Sequence, residues 1–483
     1  MNPLVSKRWL ASVALVWTLL FSARPDPTPS ASHSGPPARH PKYIFIFLAD
    51  GAGIAHIELT RLYKRLIHKE GLALTDAVMH NGHVGFLTTH AADSLVTDSA
   101  AAATSMAMGC KAKAGVVGLC ADGSRPPTII EAARERGMKV GLITTAEVYD
   151  ASPAAFATHV RSRRLSAEIC EQYLNFAPDL LMGGGRNYFL PQDQPESRRK
   201  DSKDLIALFK EKGYSYASTR RELTAIEEGK VLGLFGLQDL NFTIDRANDV
   251  EPTLYDMTQS ALRVLQKSLD SGFVLFIENE HIDAAGHFSD VAALIHEFIA
   301  FDRAIGAAYE FYRQHPEDTL ILITSDHDTG GLNLTSSAIE LPSGRRSLTN
   351  PTWDHLRKIA TIQISFRKAS ALLGPNPTPE AFASFAAEHF KGFILSPEVR
   401  EWIAGNKPSG ARFVYSRTAA ALGALVAHNT HAYWSTSGHT GQPVFVAALG
   451  SGAERFRGYQ DNTDFAKHLF ALLGEAKPRS PDR

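Results

Sequence analysis

Short, almost wholly apolar runs recur along the chain at 43–49, 139–145, 179–182, 273–277, 320–324 and 443–449. Most are rich in β-branched or aromatic residues and have the length of strands. Between them lie stretches whose apolar positions follow a helical period, among them 128–136, 253–269 and 291–312. A sheet with one face in water alternates apolar and polar residues. These runs do not, so both faces of their sheet are covered. The pattern predicts an α/β fold: a doubly wound, mostly parallel central sheet with helices on both faces. Residues 336–433 differ, with helical periodicity, proline-rich breaks and no clear sheet strand. They read as a helical insertion late in the chain. No internal repeat is present.

The first forty residues do not share this pattern. Lys7 and Arg8 precede an apolar run at 9–23 that falls short of the roughly 20 residues a membrane span needs. The expectation is a signal peptide at 1–23, with secretion or a periplasmic location, and an uncleaved anchor as the alternative. Residues 24–41 are rich in Pro, Ser and Ala and read as a disordered linker. A catalytic domain is expected at 42–475, followed by a short tail at 476–483.

Composition adds exclusions. The chain has 483 residues, 44% hydrophobic and 21% charged, enough for a large core. A net charge of −1 provides no basic field for nucleic acid or anionic lipid. Three cysteines (Cys110, Cys120 and Cys170) allow one disulfide and one free thiol, and their spacing does not say which pair.

In open α/β sheets ligands bind beyond the carboxyl ends of the strands, and there the sequence collects carboxylates and imidazoles. Asp50-Gly51-Ala52-Gly53 follows the first run. Glu278, then Asp283 and His287, follow the run at 273–277. Asp326 and His327 follow the run at 320–324, and His439 lies just before the last run. Zn²⁺ favours this mixture of His nitrogen and Asp oxygen. Asp283 and His287 share one face if a helical turn begins there. Thr329-Gly330-Gly331 suits the bend that would let adjacent Asp326 and His327 converge. Each residue alone reads as an ordinary turn or capping residue; their joint recurrence at strand ends points to metal.

The candidate nucleophile is Ser99, in Thr97-Asp98-Ser99 ahead of an alanine run that should form a helix. The start of a helix favours phosphate and also an alkoxide, and metal coordination is one way to activate a serine.

These blocks carry a resemblance. Asp50-Gly51-Ala52-Gly53, Thr97-Asp98-Ser99-Ala100-Ala101, Asp150-Ala151-Ser152-Pro153-Ala154, His159-Val160, Gly183-Gly184-Gly185, Ile282-Asp283 with His287, Asp326-His327-Asp328-Thr329-Gly330-Gly331 and Gly438-His439-Thr440-Gly441 resemble, in order, the signature blocks of the alkaline phosphatases. The resemblance spans 43 to about 470. It implies two zinc ions, one held by Asp283, His287 and His439 and the other by Asp50, Asp326 and His327. It also implies a magnesium ion bridged by Asp50 and completed by Ser152 and Glu278. Ser99 matches the family's nucleophile and Arg163, beside Arg161 and Arg164, its phosphate-gripping arginine. Asp150 stands where the animal enzymes carry His, so the third metal site resembles the bacterial type. The small residues Ala284-Ala285-Gly286 depart from relatives with a basic or large residue there. Cys120 and Cys170 match positions paired in animal members, which implies that disulfide and a free Cys110. Relatives are commonly homodimers.

The activity implied is hydrolysis of phosphate monoesters to alcohol and inorganic phosphate through a phosphoserine at Ser99. Two zinc ions would activate the serine and the attacking water and stabilise the leaving alkoxide. The nearest alternatives are a phosphodiesterase or sulfatase of the same superfamily and a phosphatase narrow for one metabolite. Ser at 99, Arg163 and the third metal site speak against the diesterase and sulfatase. A secreted phosphate- or metal-binding protein on an inactivated scaffold would have lost a ligand or the nucleophile, and none is missing.

Overall fold

The computed structural model describes residues 40–246, 250–340, 344–404 and 414–474. The expected signal peptide, all but the last two residues of the linker, and the tail at 476–483 lie outside them. Ten strands make the central sheet: β1 (Tyr43–Ala49), β2 (His83–Leu87), β3 (Lys139–Glu147), β4 (Leu180–Gly184), β5 (Tyr214–Ala217), β6 (Lys230–Leu234), β7 (Phe273–Asn279), β8 (Thr319–Thr324), β9 (Val444–Gly450) and β10 (Gly458–Gln460). Their spatial order is β10-β2-β9-β8-β1-β7-β3-β4-β6-β5. Every neighbouring pair is parallel except those of β9, which runs antiparallel to both β8 and β2.

β1, β7 and β8 lie centrally and are buried along their whole length. Along β1, Tyr43, Phe45, Phe47 and Ala49 enter the core on one face, and Ile44, Ile46 and Leu48 enter the core on the other. Burying each such large side chain contributes about 1.5–3 kcal/mol, which explains why uninterrupted apolar runs form the middle of this sheet. The register places Leu48 beside Glu278 and Thr324, so the functional residues of three adjacent strands emerge at one edge.

The late insertion is mainly helical, including Trp353–Ile359, Phe366–Leu373, Pro379–His389, Pro397–Ile403 and Arg417–Thr430. It also contains a feature its periodicity did not show, an antiparallel pair of Ser337–Glu340 with Arg346–Thr349. At its base Leu332–Leu334 pairs with Ala432–Trp434, closing the excursion where it leaves and rejoins the sheet.

Asp290 fastens this insertion to the core. Its Oδ1 accepts from Ala292 N (3.1 Å) and Ala293 N (2.9 Å), capping the long helix Val291–Gln314. Its Oδ2 accepts from Phe366 N at 2.5 Å. Asp290→Ala is expected to lower stability by about 2–3 kcal/mol, from a lost cap and an orphaned buried N–H. Denaturant midpoints would measure it, and an unchanged midpoint would show the cap to be idle.

The cysteine pairing implied by resemblance is corrected. Cys120 pairs with Cys110, not with Cys170. The helix Ser99–Met108 ends at Gly109, which takes a left-handed conformation (φ 77°). The loop beyond it folds back on itself, with Ala121 N donating to Lys111 O at 2.8 Å, and the two Cα atoms come to 5.6 Å. That separation lies within bridging range. Cys170 is a free thiol, wholly buried in the helix Ser166–Phe176.

Candidate active site

Most of the candidate metal ligands sit at or just past the carboxyl end of a central strand. Asp50 follows β1, where the chain turns through Gly51 (φ 73°). A Cβ at Gly51 would lie 2.7 Å from the Cα of Asp283, so no larger residue fits there. Glu278 lies near the end of β7. The short helix His281–His287 then carries Asp283 and His287 on one face, with His287 Nε2 3.0 Å from Asp283 Oδ2. Beyond β8, Asp326 and His327 enter a bend stabilised by Ser325, whose Oγ donates to His327 O (2.6 Å) and accepts from Ala52 N (2.9 Å). His439 reaches the same place because His439–Thr440 pairs antiparallel with Asp328–Thr329.

Three imidazoles are oriented alike by what their Nδ1 atoms touch. His287 Nδ1–H donates to Ser437 O (2.6 Å) and His439 Nδ1–H to Thr97 O (2.9 Å). Carbonyl oxygens only accept, so each Nε2 keeps a free lone pair. His327 Nδ1 lies 3.2 Å from Thr329 Oγ1, a hydroxyl that donates its own proton to Asp283 Oδ1. That leaves His327 Nε2 facing Asp326 Oδ2 (3.2 Å), Asp50 Oδ1 (3.5 Å) and Ser99 Oγ (3.2 Å).

These atoms fit divalent cations. His287 Nε2 lies 3.0 Å from Asp283 Oδ2 and 3.3 Å from His439 Nε2, which is 3.6 Å from Asp283 Oδ1. A tetrahedral zinc with bonds near 2.0 Å would separate its ligands by about 3.3 Å. Asp50, Asp326 and His327 form a second group within 4.8 Å, and His327 also approaches Asp283 and His439. Asp50 Oδ1, Asp326 Oδ2 and Glu278 Oε1 are buried without any hydrogen-bond partner. Such orphaned oxygens are costly unless a cation meets them. The other oxygens are satisfied: Ser152 Oγ donates to Asp50 Oδ2 at 3.3 Å and Thr144 Oγ1 to Glu278 Oε2 at 2.5 Å.

The electrostatics carry the same mark. Burial, then Asp326 and Asp283, push the Asp50 carboxyl well up. Burial first, then Asp283, raises Asp326 to about 6, and burial first, then Asp150, raises Glu278 to about 8. His327 is held well below its ordinary value by burial and then by His439. Burial works against the charge of Asp283 and of His287, yet their mutual attraction wins: Asp283 is held well down and His287 is raised to about 9. Crowded, dry carboxylates repel one another, and a bound cation removes that conflict.

Ser99 is the first residue of the helix Ser99–Met108. Asp98, not Ser99, caps this helix, accepting from Ala101 N at 3.1 Å. The Ser99 hydroxyl is thereby left to the cavity. Arg163 is steered by two carboxylates, with NH2 2.9 Å from Asp150 Oδ1 and NH1 3.5 Å from Asp98 Oδ2. Burial opposes its charge, but Asp150 and then Asp98 raise its pKa. Its neighbours Arg161 and Arg164 are exposed and do not line the cavity.

Asp50, Ser99, Arg163, Asp283, His287 and His439 line one cavity of about 370 Å³. Ser152, Glu278, Asp326 and His327 are buried at or below 1% exposure. Ser152 meets Asp50, and His327 meets Asp50, Asp326 and Ser99, while Glu278, raised first by burial, is raised further by Asp150, which lines the cavity. The candidate nucleophile, the arginine and the candidate metal ligands thus lie in or around this cavity, whereas His159 is engaged elsewhere by Glu131 and Gly118 O. Thr144, Thr329 and the carbonyls of Thr97 and Ser437, which orient the ligands, did not stand out in the sequence. Thr329 and Thr97 carried a signal only from their places in Asp326-His327-Asp328-Thr329 and Thr97-Asp98-Ser99.

Comparison with known proteins agrees with this geometry. A family model described as alkaline phosphatase matches residues 41–474. The chain is 32% identical over 440 residues to alkaline phosphatase 3 of Bacillus subtilis (strain 168), covering 89% of each chain. It is 31% identical over 509 residues to streptomycin-6-phosphate phosphatase of Streptomyces griseus, covering 94% of this chain and 95% of that one. The structure of Thermus thermophilus alkaline phosphatase superimposes with a TM-score of 0.78 at 28% identity, covering 90% of this chain and 91% of the other.

Proposed function

The chain belongs to the alkaline phosphatase family and is a phosphomonoester hydrolase, and from that premise we propose that it works by double displacement through a phosphoserine at Ser99. One observation carries this reading: the Ser99 hydroxyl lies 3.2 Å from His327 Nε2, and His327 belongs to both clusters of Asp and His ligand atoms, one of which contains the unpartnered buried oxygens of Asp50 and Asp326. Asp283, His287 and His439 would hold one zinc, and Asp50, Asp326 and His327 a second. Asp50, Ser152 and Glu278 would hold a magnesium. When bound, these cations supply Lewis acidity, lowering the pKa of bound hydroxyls and offsetting charge on phosphate and leaving-group oxygens.

The chain's own residues do the rest. Ser99 Oγ attacks phosphorus as the ester P–O bond breaks and the alcohol departs. Water then attacks the phosphoseryl phosphorus, releasing phosphate and restoring the serine. The helix start at Ser99 favours the negative charge of phosphate. Arg163, held between Asp150 and Asp98, presents its fork to the non-bridging oxygens. Arg163→Ala is expected to reduce kcat/KM for phosphomonoesters about 10²–10³-fold, with Lys restoring only part of it. A variant within a factor of about two of the parent would remove Arg163 from the phosphate site.

The direct test is hydrolysis of a chromogenic aryl phosphate at mildly alkaline pH, before and after chelation and after restoring zinc and magnesium. Activity lost to the chelator and recovered with zinc supports the reading. Inactive protein that holds its metals sinks it. A narrow metabolite phosphatase is the second reading, favoured by the near full-length match to streptomycin-6-phosphate phosphatase. The residues facing phosphate serve either case, and a substrate panel separates them. The proposal extends to an exported homodimer. The apolar run at 9–23 behind Lys7 and Arg8 supports export, and the family supports the dimer. No helix among the described residues is long and apolar enough to cross a membrane. N-terminal sequencing of exported protein and sedimentation test the two parts.

A further inference from the structure

The cavity extends past the phosphate-facing residues. Its lining also includes Glu147, Gln238, Asp239, Glu280 and Arg367. Two carboxylates of the cavity are already matched: Asp150 by Arg163, and Asp239 by the fork of Arg367, whose NH2 lies 2.9 Å from Asp239 Oδ1. Asp50 and Asp283 belong to the ligand groups. Glu147, at the end of β3, and Glu280, just beyond β7, remain. Among the described residues neither forms an ion pair with Lys or Arg, and the nearest basic atom to Glu280 is His281 Nε2, 3.9 Å from its Oε2. Burial, then Asp150 and Asp239, push Glu147 up to about 7; Arg367, engaged by Asp239, acts on it and on Glu280 only at longer range and does not cancel that push.

Aromatic residues line the same cavity. Tyr415, contributed by the late insertion, stacks on His287 with ring centroids 5.2 Å apart and planes 26° apart. Phe288 meets Tyr415 edge-on at 5.5 Å. Tyr415 is 58% exposed, so its ring is open to a ligand at the cavity mouth. Carboxylates without an ion-pair partner of their own and aromatic faces in one cavity have one preference in common. Both attract organic cations, through charge and through the ring quadrupole. A carboxylate or second phosphate on the alcohol would meet like charge instead.

We propose that this half of the cavity is the leaving-group subsite and that it selects phosphomonoesters of cationic alcohols, bearing amine or guanidine groups, over neutral and anionic ones. The inference rests on the phosphatase reading above and adds to it the class of alcohol released. The reaction is unchanged: the ester P–O bond breaks, and the amine-bearing alcohol leaves with its cation between Glu147 and Glu280.

The test uses three small phosphomonoesters of similar size, aminoethyl phosphate, hydroxyethyl phosphate and phosphoglycolate, with metal-loaded protein at low salt. The expected order of kcat/KM is amine, then hydroxyl, then carboxylate, with the amine about tenfold ahead of the hydroxyl, as a charge-assisted contact gives. Glu147→Gln and, separately, Glu280→Gln should bring the amine-to-hydroxyl ratio down towards one. Because it is a ratio on one preparation, it is insensitive to the fraction of variant that folds. Added salt should also narrow it. Brisk hydrolysis with equal kcat/KM for all three would overturn the subsite and leave the phosphatase reading standing. So would a preference that survives both substitutions. No hydrolysis of these esters or of an aryl phosphate by metal-loaded protein would bring down the phosphatase reading and the subsite with it.

Discussion

With Ser99 replaced by Ala, turnover of an aryl phosphate is expected to fall by about 10⁴-fold or more, while inorganic phosphate and zinc still bind. The substitution is structurally mild. Ser99 opens a helix in which Ala is the most favourable residue, and the cap is supplied by Asp98, which keeps its bond from Ala101 N. What disappears is the one hydroxyl placed 3.2 Å from His327 Nε2. The groups that grip phosphate and metal remain: Arg163 between its two carboxylates and the Asp–His groups beside it. Steady-state rates, metal content by elemental analysis and calorimetric titration with phosphate would measure the three quantities together. Acid quenching of the parent with radiolabelled phosphate ester should trap label on Ser99, and the variant should trap none. A variant that retained a tenth of the parent's turnover would move the covalent step to another residue. A parent that already lacked turnover but bound phosphate would be a binding protein.

The fold and the site were legible in the sequence to different depths. The central strands announced themselves because both their faces are buried, which forces uninterrupted apolar runs such as Tyr43–Ala49. The outer strands did not. β2 exposes Val84 and Phe86, β5 is four residues long, and β10 exposes Gly458 and Tyr459. Short, half-wet strands have neither continuous apolarity nor clean alternation. Nor could the run at 443–449 disclose that β9 reverses direction between β2 and β8, since direction is set by the connections and not by the run itself.

At the site, ligand types were legible because Asp and His recur immediately after the central strands, where any open α/β sheet places its chemistry. The groups that aim those ligands were not. Two are backbone carbonyls, Thr97 O and Ser437 O, which no residue type reveals. A third, Thr144, reads in sequence as an ordinary β-branched strand residue, yet its hydroxyl holds Glu278. The cysteines failed for a related reason. Pairing depends on where the chain reverses, and here the turn after Gly109 brings Cys120 to Cys110 while Cys170 is enclosed by the core.

Removing the metals is expected to abolish turnover and also to invert the pH dependence of stability. Burial raises Asp326 to about 6 and Glu278 to about 8 in the folded protein, and pushes Asp50 well up. In the unfolded chain these carboxyls titrate near 4. A folded pKa above the unfolded one means stability that is fully present below the unfolded value and lost as pH rises through the folded value. Metal-free protein should therefore melt several degrees lower at about pH 8 than at about pH 5, a loss of the order of a few kcal/mol. The Asp283–His287 pair works the other way on its acidic side, since Asp283 is held well down and loses its contribution only in acid. His287, raised to about 9, contributes fully below about pH 6.5 and loses that contribution progressively up to about pH 9. Between about pH 5 and 8 the loss from the three raised carboxyls is therefore joined by that of His287 above about pH 6.5 and by Glu147, raised to about 7, while His327, held well down, opposes it only below about pH 6.5. With zinc and magnesium present the slope reverses, because the cations compete with protons for the same oxygens and bind more tightly as pH rises. Thermal melts of chelated and reloaded protein across this range measure both slopes. A flat chelated profile would mean that Asp50, Glu278 and Asp326 do not share one dry, crowded site, and the metal groups built from them would fall with it.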